Sequence, residues 1–429
     1  MKHLLLDPIF KSPADEHFFV GYYDKSALDA SSTRMLGMRV ARIDRLPNAN
    51  DEAVIGFFHL PSRQYVEVGV TNAFNWQQGA MLQWLGPSFS NDIIFNRRTE
   101  RGFQAVIVDS STGVERLLDS PIYAVSPQGD RALTVDFERH YWCRRGYSYD
   151  GIAKQEKNGR VVRGDGIWLV NINRNVSEKI VAIEDLLTIS PLPSMIGATH
   201  YVEHITFSPD GQSFAFYHRW RLEEGGIYAR MYVCALSQDA GPRLVHDTGR
   251  LSHYCWIDNK TILAGGAPKP SAASRLRKTK WLSRAVRPVI PLYRYLVKGN
   301  ATDGQSVLSK IVTGDSYFLL DTSTCTTTTR FKGEIDRDGH PSAVPGKPGW
   351  IITDTYPDRN CVARLVLGNL DTQEMFVLNE LRSIPAFDNS PCRCDLHPKV
   401  SRDGRFVCVD TMNDGVRSVY LFSLPEEVH

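Results

Sequence analysis

Four histidines occupy the same place in four similar stretches of the sequence. Each lies four residues before the turn of a strand–turn–strand phrase such as "HITFSPDGQSFAFY", which begins at His204; the others are His253, His340 and His397. Imidazole is a common ligand for cations such as zinc, and it transfers protons near neutral pH. The pattern therefore predicts a metal site or a catalytic cluster where the fold brings the four together. Hydrogen bonding between neighbouring structural units is the alternative.

A thiol and a set of basic and aromatic residues extend this chemistry. Cys255 follows His253 by two residues and so shares its strand face, where a thiolate could add a metal ligand. Arginine binds carboxylates through paired hydrogen bonds, and histidine and tyrosine can donate or accept protons. Two short segments concentrate such residues: His140, Arg144, Arg145, Tyr147, Tyr149, Arg219 and Arg221. A face with this composition suits an acidic sugar polymer, and surface salt bridging is the alternative.

Polar and aromatic loops supply a third set of candidates. They are "WQQGAMLQW" from Trp76, "DTYPD" from Asp354 and "RCDLHP" from Arg393. Such side chains can hydrogen-bond to sugars or stack on them, which makes substrate-binding candidates of Gln77, Gln78, Tyr356 and Arg393. Asp354 and Asp410 lie at matching places in their repeats and are equally well explained as turn caps.

The common histidine position reflects an internal repeat of strands and turns. Seven segments combine a strand, a turn rich in Pro, Asp, Asn and Gly, and a second strand. Further strand candidates rich in Val, Ile, Tyr and Phe follow, giving four strands per unit at a spacing of roughly 50 residues. We predict one all-β domain over residues 1–429: a seven-bladed β-propeller of four antiparallel strands per blade, closed between the first and last blades. Its inner strands line a central channel, where the four histidines should meet. One short helix is expected near Ile183.

Two insertions interrupt the repeat. The first, 138–164, is predicted to be a long polar and aromatic loop and carries several of the candidates above. The second spans about 267–305, and between Arg275 and Lys298 it has eight Lys or Arg residues and no acidic residue. Basic residues interleaved with aromatic ones favour peripheral contact with a membrane surface or an acidic partner. A solvated loop is the alternative.

Composition narrows the partners and the compartment. Fifty Lys and Arg residues against 48 Asp and Glu give a formal net charge of +2, which does not favour nucleic acid. No apolar run is long enough to span a membrane, and the start lacks the apolar core of a signal peptide. Eight scattered cysteines suit a reducing compartment. We expect a cytoplasmic protein, peripheral on the inner membrane if segment 275–298 binds there; oligomeric state is not predicted.

Several motifs together resemble a known enzyme family. "GYYDKS", "WQQGAMLQWLG", "RRGYSY", "SHYCW", "DGHPS", "TDTYPD" and "CDLHP" resemble the seven-bladed propeller polysaccharide lyases of the ulvan lyase type and, more distantly, the oligogalacturonate lyases. The resemblance covers nearly the whole chain except the second insertion. It implies an enzyme that acts by β-elimination at a uronate within an acidic polysaccharide.

The resemblance also implies residue roles. Arg219 would neutralise the uronate carboxylate, and His140 with Tyr147 or Tyr149 would transfer protons. Family metal ligands match His253 and His340, with His204 and His397 beside them. The ion would be divalent, zinc first, with manganese or calcium as alternatives. In the oligogalacturonate branch the residue matching His204 resembles the catalytic base instead.

One position departs from the family pattern. Glu203 stands where an aromatic hydroxyl is expected, directly before His204. Either the proton chemistry uses other groups, Glu203 among them, or the chain is a non-catalytic glycan-binding scaffold in exopolysaccharide assembly. A glycoside hydrolase is a third hypothesis. It needs two carboxylates roughly 5–10 Å apart, and Glu203 with Asp354 is the pair to test.

Overall fold

The computed structural model describes residues 1–152, 161, 163–222, 226–237, 241–270, 315–334, 338–387 and 390–425. Within these residues the strands form seven separate sheets, each of four or five strands. In each sheet four strands pair antiparallel from the innermost outward, and the fifth strand of one sheet adds a parallel pair. The predicted seven-bladed β-propeller with four antiparallel strands per blade is therefore confirmed.

Two short strands precede the first blade: β1 (Lys2–His3) and β2 (Phe10–Lys11). Blades 1 and 2 contain β3 (His17–Phe19), β4 (Arg34–Val40), β5 (Ala53–His59), β6 (Gln64–Thr71), β7 (Gln83–Trp84), β8 (Asp92–Thr99), β9 (Gly102–Asp109) and β10 (Glu115–Leu117). Blades 3 and 4 contain β11 (Ala124–Val125), β12 (Arg131–Thr134), β13 (Gly166–Asn171), β14 (Val176–Ala182), β15 (Thr199–Phe207), β16 (Ser213–Arg221), β17 (Ile227–Ala235) and β18 (Arg243–His246).

Blades 5 to 7 complete the ring. They contain β19 (Leu251–Trp256), β20 (Thr261–Gly266), β21 (Ser316–Asp321), β22 (Thr327–Arg330), β23 (Ser342–Ala343), β24 (Trp350–Asp354), β25 (Val362–Asn369), β26 (Met375–Arg382), β27 (Lys399–Val400), β28 (Phe406–Thr411) and β29 (Ser418–Ser423). The middle strands of the blades are almost wholly buried, because both of their faces pack against neighbouring blades.

The N-terminal strand closes the ring. β2 pairs antiparallel with β29, with Phe10 opposite Leu421, so the start of the chain supplies the outermost strand of blade 7. β1 adds a fifth, parallel strand to blade 6 through its pairing with β26. This is the predicted closure between the first and last blades, and it removes the exposed sheet edges that an open ring would leave.

Phe10→Leu should lower the free energy of unfolding by about 1 kcal/mol. The Phe10 ring is 4% exposed and lies 5.0 Å from the Phe58 ring of blade 1, so the substitution removes an aromatic pair at the closure. Urea denaturation measures the loss, and Ile9→Leu, at an exposed neighbouring position, is the control. Equal stability of the two variants would show that this contact does not hold the ring closed.

Side-chain acceptors tie the inner strands of adjacent blades together. Asp410 of blade 7 accepts backbone hydrogen bonds from Val20 (2.8 Å) and Gly21 (3.0 Å) of blade 1. Asp354 accepts from the backbone of His340 (2.7 Å) and of His397 (3.1 Å). These carboxylates fix where each inner strand begins, and so they fix the spacing of the histidines.

Two α-helices occur within the described residues: α1 (Phe137–Cys143) and α2 (Ile183–Thr188). Short 3-10 turns lie at Arg145–Tyr147 and Pro193–Met195. α2 confirms the short helix expected near Ile183. α1 corrects the prediction that the first insertion is entirely loop. It forms because the Asp136 carboxylate caps it, accepting from the backbone of Glu138 and Arg139.

The basic segment of the second insertion, 275–298, lies outside the described residues, so its predicted membrane or acidic contact stays a prediction. None of the helices among the described residues has the length and apolar character needed to cross a bilayer.

Candidate functional site

The four histidines converge, as the repeat predicts: His204 and His253 lie within inner strands, and His340 and His397 lie two residues before theirs. The ring centres of His253 and His340 lie 4.2 Å apart, and those of His340 and His397 lie 4.3 Å apart. The ring centre of His204 lies 5.5 Å from that of His253. Tyr22, from the segment after β3, reaches the middle of this group, with ring-centre distances from 5.1 to 6.3 Å. We call these five residues the histidine cluster.

Unusual backbone conformations orient the side chains of His204 and His397. His204 and His397 adopt positive φ values of 53° and 44°, a region that residues other than glycine seldom occupy. In β15 the pairing register shifts between Glu203 and Thr206, which marks a β-bulge. Because of the bulge, Glu203 and His204 contact each other: Oε1 of Glu203 lies 3.4 Å from Nδ1 of His204.

Three side chains of the cluster region could hold a metal ion. One ligand atom each from His340, Asp395 and His397 lie within 4.8 Å of one another, and all three residues are buried. The Nε2 atoms of His340 and His397 are buried without a hydrogen-bond partner. Buried polar atoms normally have partners, so two converging unpaired imidazole nitrogens beside a carboxylate fit a divalent cation.

Carboxylates outside this group orient its imidazoles. Asp354 accepts from Nδ1 of His340 at 2.9 Å, which leaves the Nε2 lone pair for a ligand. Burial lowers the pKa of His340, but the Asp354 carboxylate outweighs it and the net pKa is raised. Burial, with the neighbouring His340 and Lys399, holds the pKa of His397 well below its usual range, so that imidazole stays neutral. Asp338 lies 3.2 Å from Nδ1 of His253 in a similar arrangement.

Cys255 does not join the group of ligand atoms within reach of one ion. It packs beside Leu263 and Ile257 in the core between blades. Burial raises the pKa of its thiol to about 12, so it is protonated at neutral pH and is a poor metal ligand. The non-histidine member of the candidate ligand group is Asp395, which sequence reasoning did not select, and not Cys255.

Glu203 lies at the centre of a buried charge cluster beside the histidines. It is fully buried and pairs with Nη1 of Arg144 and, at 2.7 Å, with Nε of Arg219. His140 approaches the other carboxylate oxygen to 3.6 Å. Burial alone would raise the pKa of Glu203, but the two guanidinium groups hold it well below its usual range. The protein thus places a permanent carboxylate between the two arginines expected to bind substrate.

A carboxylate–imidazole–phenol chain runs from Glu203 through His204 to Tyr22. Nε2 of His204 is hydrogen-bonded to the Tyr22 hydroxyl at 2.6 Å. Burial lowers the pKa of His204 to about 3, and burial raises the pKa of Tyr22 well above its usual range. Both groups are therefore neutral at pH 7. Tyr22 lies in the quoted "GYYDKS" motif, but sequence alone did not identify it as a candidate.

Basic and aromatic side chains surround the cluster. The Arg144 guanidinium lies 3.7 Å from the Tyr147 ring centre, and that of Arg393 lies 5.4 Å from the Tyr356 ring centre. The Tyr356 ring lies 5.6 Å from that of His340. The side chains of Arg144 and Arg393 are 22% and 33% exposed, so they can meet a ligand from solvent. We call these four residues the rim.

Other sequence-selected residues have structural partners instead. Tyr149 stacks on Phe137 and its hydroxyl accepts from Asn96 at 3.1 Å, which places it in the core of blades 2 and 3. Gln77 donates a hydrogen bond to the Arg393 carbonyl, and Gln78 donates one to the Tyr123 hydroxyl. Arg221 donates a hydrogen bond to the Cys143 carbonyl, and the Arg145 guanidinium lies against the Tyr141 ring. Gln77 and Gln78 each keep one buried amide oxygen without a partner.

The glycosidase pair, Glu203 with Asp354, offers no free acid. Glu203 is neutralised by two arginines, and Asp354 accepts two backbone hydrogen bonds and one from His340. A general acid needs a proton near neutral pH, which the two guanidinium groups beside Glu203 oppose.

No protein-family model and no curated protein matches the chain. Among solved structures, an oligogalacturonate lyase in complex with manganese matches with a TM-score of 0.59 and 11% identity over 100% of both chains. The fold resembles that of oligogalacturonate lyases. A second such enzyme, from Vibrio parahaemolyticus, matches with a TM-score of 0.54 and 12% identity over 100% of this chain and 97% of that one.

The same architecture occurs in proteins of other activity. Prolyl oligopeptidase B from Galerina marginata matches with a TM-score of 0.50 and 8% identity, over 92% of this chain and 47% of that one. Identities this low establish the propeller fold and leave activity to be argued from the site. None of the structures named here is an ulvan lyase, so that part of the resemblance rests on its motifs.

Proposed function

We propose that the protein is a polysaccharide lyase that cleaves a uronate-containing acidic polysaccharide by β-elimination at the histidine cluster. The observation that carries the proposal is the Glu203–His204–Tyr22 chain, which ends in a phenol among the histidines. Beside it lie the candidate metal ligands, and the fold is one shared with oligogalacturonate lyases.

Elimination first requires that the uronate carboxylate be neutralised, since its charge opposes removal of the C5 proton. Arg219, which the resemblance suggests for this task, is already paired with Glu203. The proposal therefore assigns the carboxylate to the Nη groups of Arg393, whose side chain is 33% exposed and whose Nε donates to Asp395 at 2.9 Å. A divalent ion held by His340, Asp395 and His397 would add positive charge near the same carboxylate. Two imidazole donors favour zinc or manganese over calcium, which prefers oxygen ligands.

Proton transfer is assigned to the buried chain. In the proposed step Tyr22 takes the C5 proton while its own hydroxyl proton passes to Nε2 of His204, whose Nδ1 lies 3.4 Å from the Glu203 carboxylate. Electrons of the C5–H bond form the new C4–C5 double bond, and the C4–O4 bond breaks. The proposal assigns protonation of the leaving oxygen to Tyr147, whose ring contacts the Arg144 guanidinium.

The test is ultraviolet absorbance of the unsaturated uronate that elimination produces, recorded while the full chain is offered a panel of uronate polysaccharides with and without chelator. Tyr22→Phe should lower kcat roughly a hundredfold, because it removes the group that accepts the proton. Tyr420→Phe, a buried tyrosine of blade 7, is the matched control and should leave kcat unchanged. Equal rates in wild type and Tyr22→Phe would rule out this proton path.

A non-catalytic glycan-binding scaffold is the second candidate, favoured by one observation. Glu203 occupies both Arg144 and Arg219 from within the protein, which reduces the positive charge available to a substrate carboxylate. A flat absorbance trace across the panel, together with measurable binding to one of those glycans that Arg393→Gln weakens, would favour the scaffold over the lyase.

A further inference from the structure

A cavity lies near the other end of the inner strands from the histidine cluster. Its volume is about 210 Å³. Its lining includes turns that follow inner strands, at 126–127, 208–209 and 402, together with Trp84 and Phe89. Each histidine precedes its turn by four residues, and a strand rises about 3.3 Å per residue, so roughly 13 Å separates the two regions.

Arg402 places an unpaired cation in the wall of this cavity. Its guanidinium lies 3.3 Å from the centre of the Phe89 ring, and its Nε is buried without a hydrogen-bond partner. No acidic side chain among the described residues forms an ion pair with it. Burial lowers the pKa of Arg402 to about 10, which reflects the same lack of a counter-charge.

The other polar groups of the wall leave this charge uncompensated. Nζ of Lys25 lies 2.8 Å from Oδ1 of Asp24, so the charges of these two side chains cancel. The Ser26 hydroxyl is a second buried donor without a partner. The cavity therefore carries a net positive charge and two unused hydrogen-bond donors, one of them on the guanidinium.

We propose that this cavity binds a small oxyanion, a carboxylate or a phosphate, through the Arg402 guanidinium and the Ser26 hydroxyl. A guanidinium whose Nε is buried without a partner is costly, and an anion hydrogen-bonded to it relieves that cost. The volume accommodates a phosphate with ordered water or a single sugar acid. This site is separate from the histidine cluster and does not depend on lyase activity.

The experiment measures Tm of the full chain in sodium phosphate and in sodium glucuronate, each against sodium chloride at equal ionic strength. Wild type should gain about 2 °C or more with at least one anion, since a ligand that binds only the folded state stabilises it. Arg402→Gln should abolish the gain. Without added anion Arg402→Gln should melt at or above the wild-type Tm, because it removes an unpaired, partly buried charge.

Arg405→Gln is the matched control, because Arg405 lies on the same hairpin but is 55% exposed and paired with Asp403. It should keep the full anion-dependent gain. Ser26→Ala should weaken the anion roughly tenfold and tests the same site if Arg402→Gln does not fold. A gain with phosphate alone or glucuronate alone assigns the class of anion. No gain in wild type, or an equal gain in Arg402→Gln and Ser26→Ala, would overturn the proposal.

Discussion

His340→Ala is expected to lower the affinity of the protein for Mn²⁺ or Zn²⁺ more than a hundredfold, and His397→Ala should do the same. Each variant removes one of three side chains whose ligand atoms lie within 4.8 Å of one another. The loss should exceed the roughly 10–100-fold that removal of an outer-shell partner costs. Isothermal titration calorimetry on chelator-treated protein measures the affinity.

Two further variants separate ligation from orientation. Asp354→Asn should cost only about 10–100-fold, since Asp354 orients His340 without belonging to the group of ligand atoms. His3→Ala, at an exposed position of β1, should leave the affinity unchanged. If His340→Ala and His397→Ala both bind the ion as tightly as wild type, the ion lies elsewhere and Asp395 has no role in holding it.

The repeat made the fold and the meeting of the histidines predictable. A histidine at a constant distance before a constant turn specifies a ring of equivalent positions whatever the loops contain. The same regularity did not reveal which other groups face the ring. Tyr22 and Asp395 lie in the motifs quoted above, but Tyr22 is followed by a second tyrosine, Tyr23, and Asp395 lies two residues from both Arg393 and His397. Which of these nearby side chains faces the histidines depends on the folded backbone.

Backbone irregularity explains why the site was harder to predict than the fold. Strand alternation would send Glu203 and His204 to opposite faces, whereas the bulge in β15 and the positive φ of His204 let both contact each other. Cys255 was placed beside His253 by the same alternation, which fails because the register of β19 also shifts, between Leu251 and Tyr254. Local departures of this kind leave no clear signature in residue types.

Glu203→Gln should lower the free energy of unfolding by about 3–5 kcal/mol, although it changes neither size nor shape. The substitution leaves the guanidinium groups of Arg144 and Arg219 without their shared counter-charge, which lies at a fully buried position. Urea denaturation at neutral pH, followed by circular dichroism, measures the difference. Glu380→Gln breaks an exposed ion pair with Arg364 and should cost less than about 1 kcal/mol.

The pH dependence of that difference has a defined sign. The folded-state pKa of Glu203 is depressed below its ordinary value of 4.5, so the ionised form contributes its full stability above that pH. The contribution is lost as pH falls from 4.5 toward the folded-state pKa. Wild type and Glu203→Gln should therefore differ by a constant amount from about pH 6 to 8 and converge in acid. A gap that persists unchanged in acid would mean that Glu203 stabilises the fold by packing rather than by charge, and Arg219 would then be free to bind a uronate carboxylate.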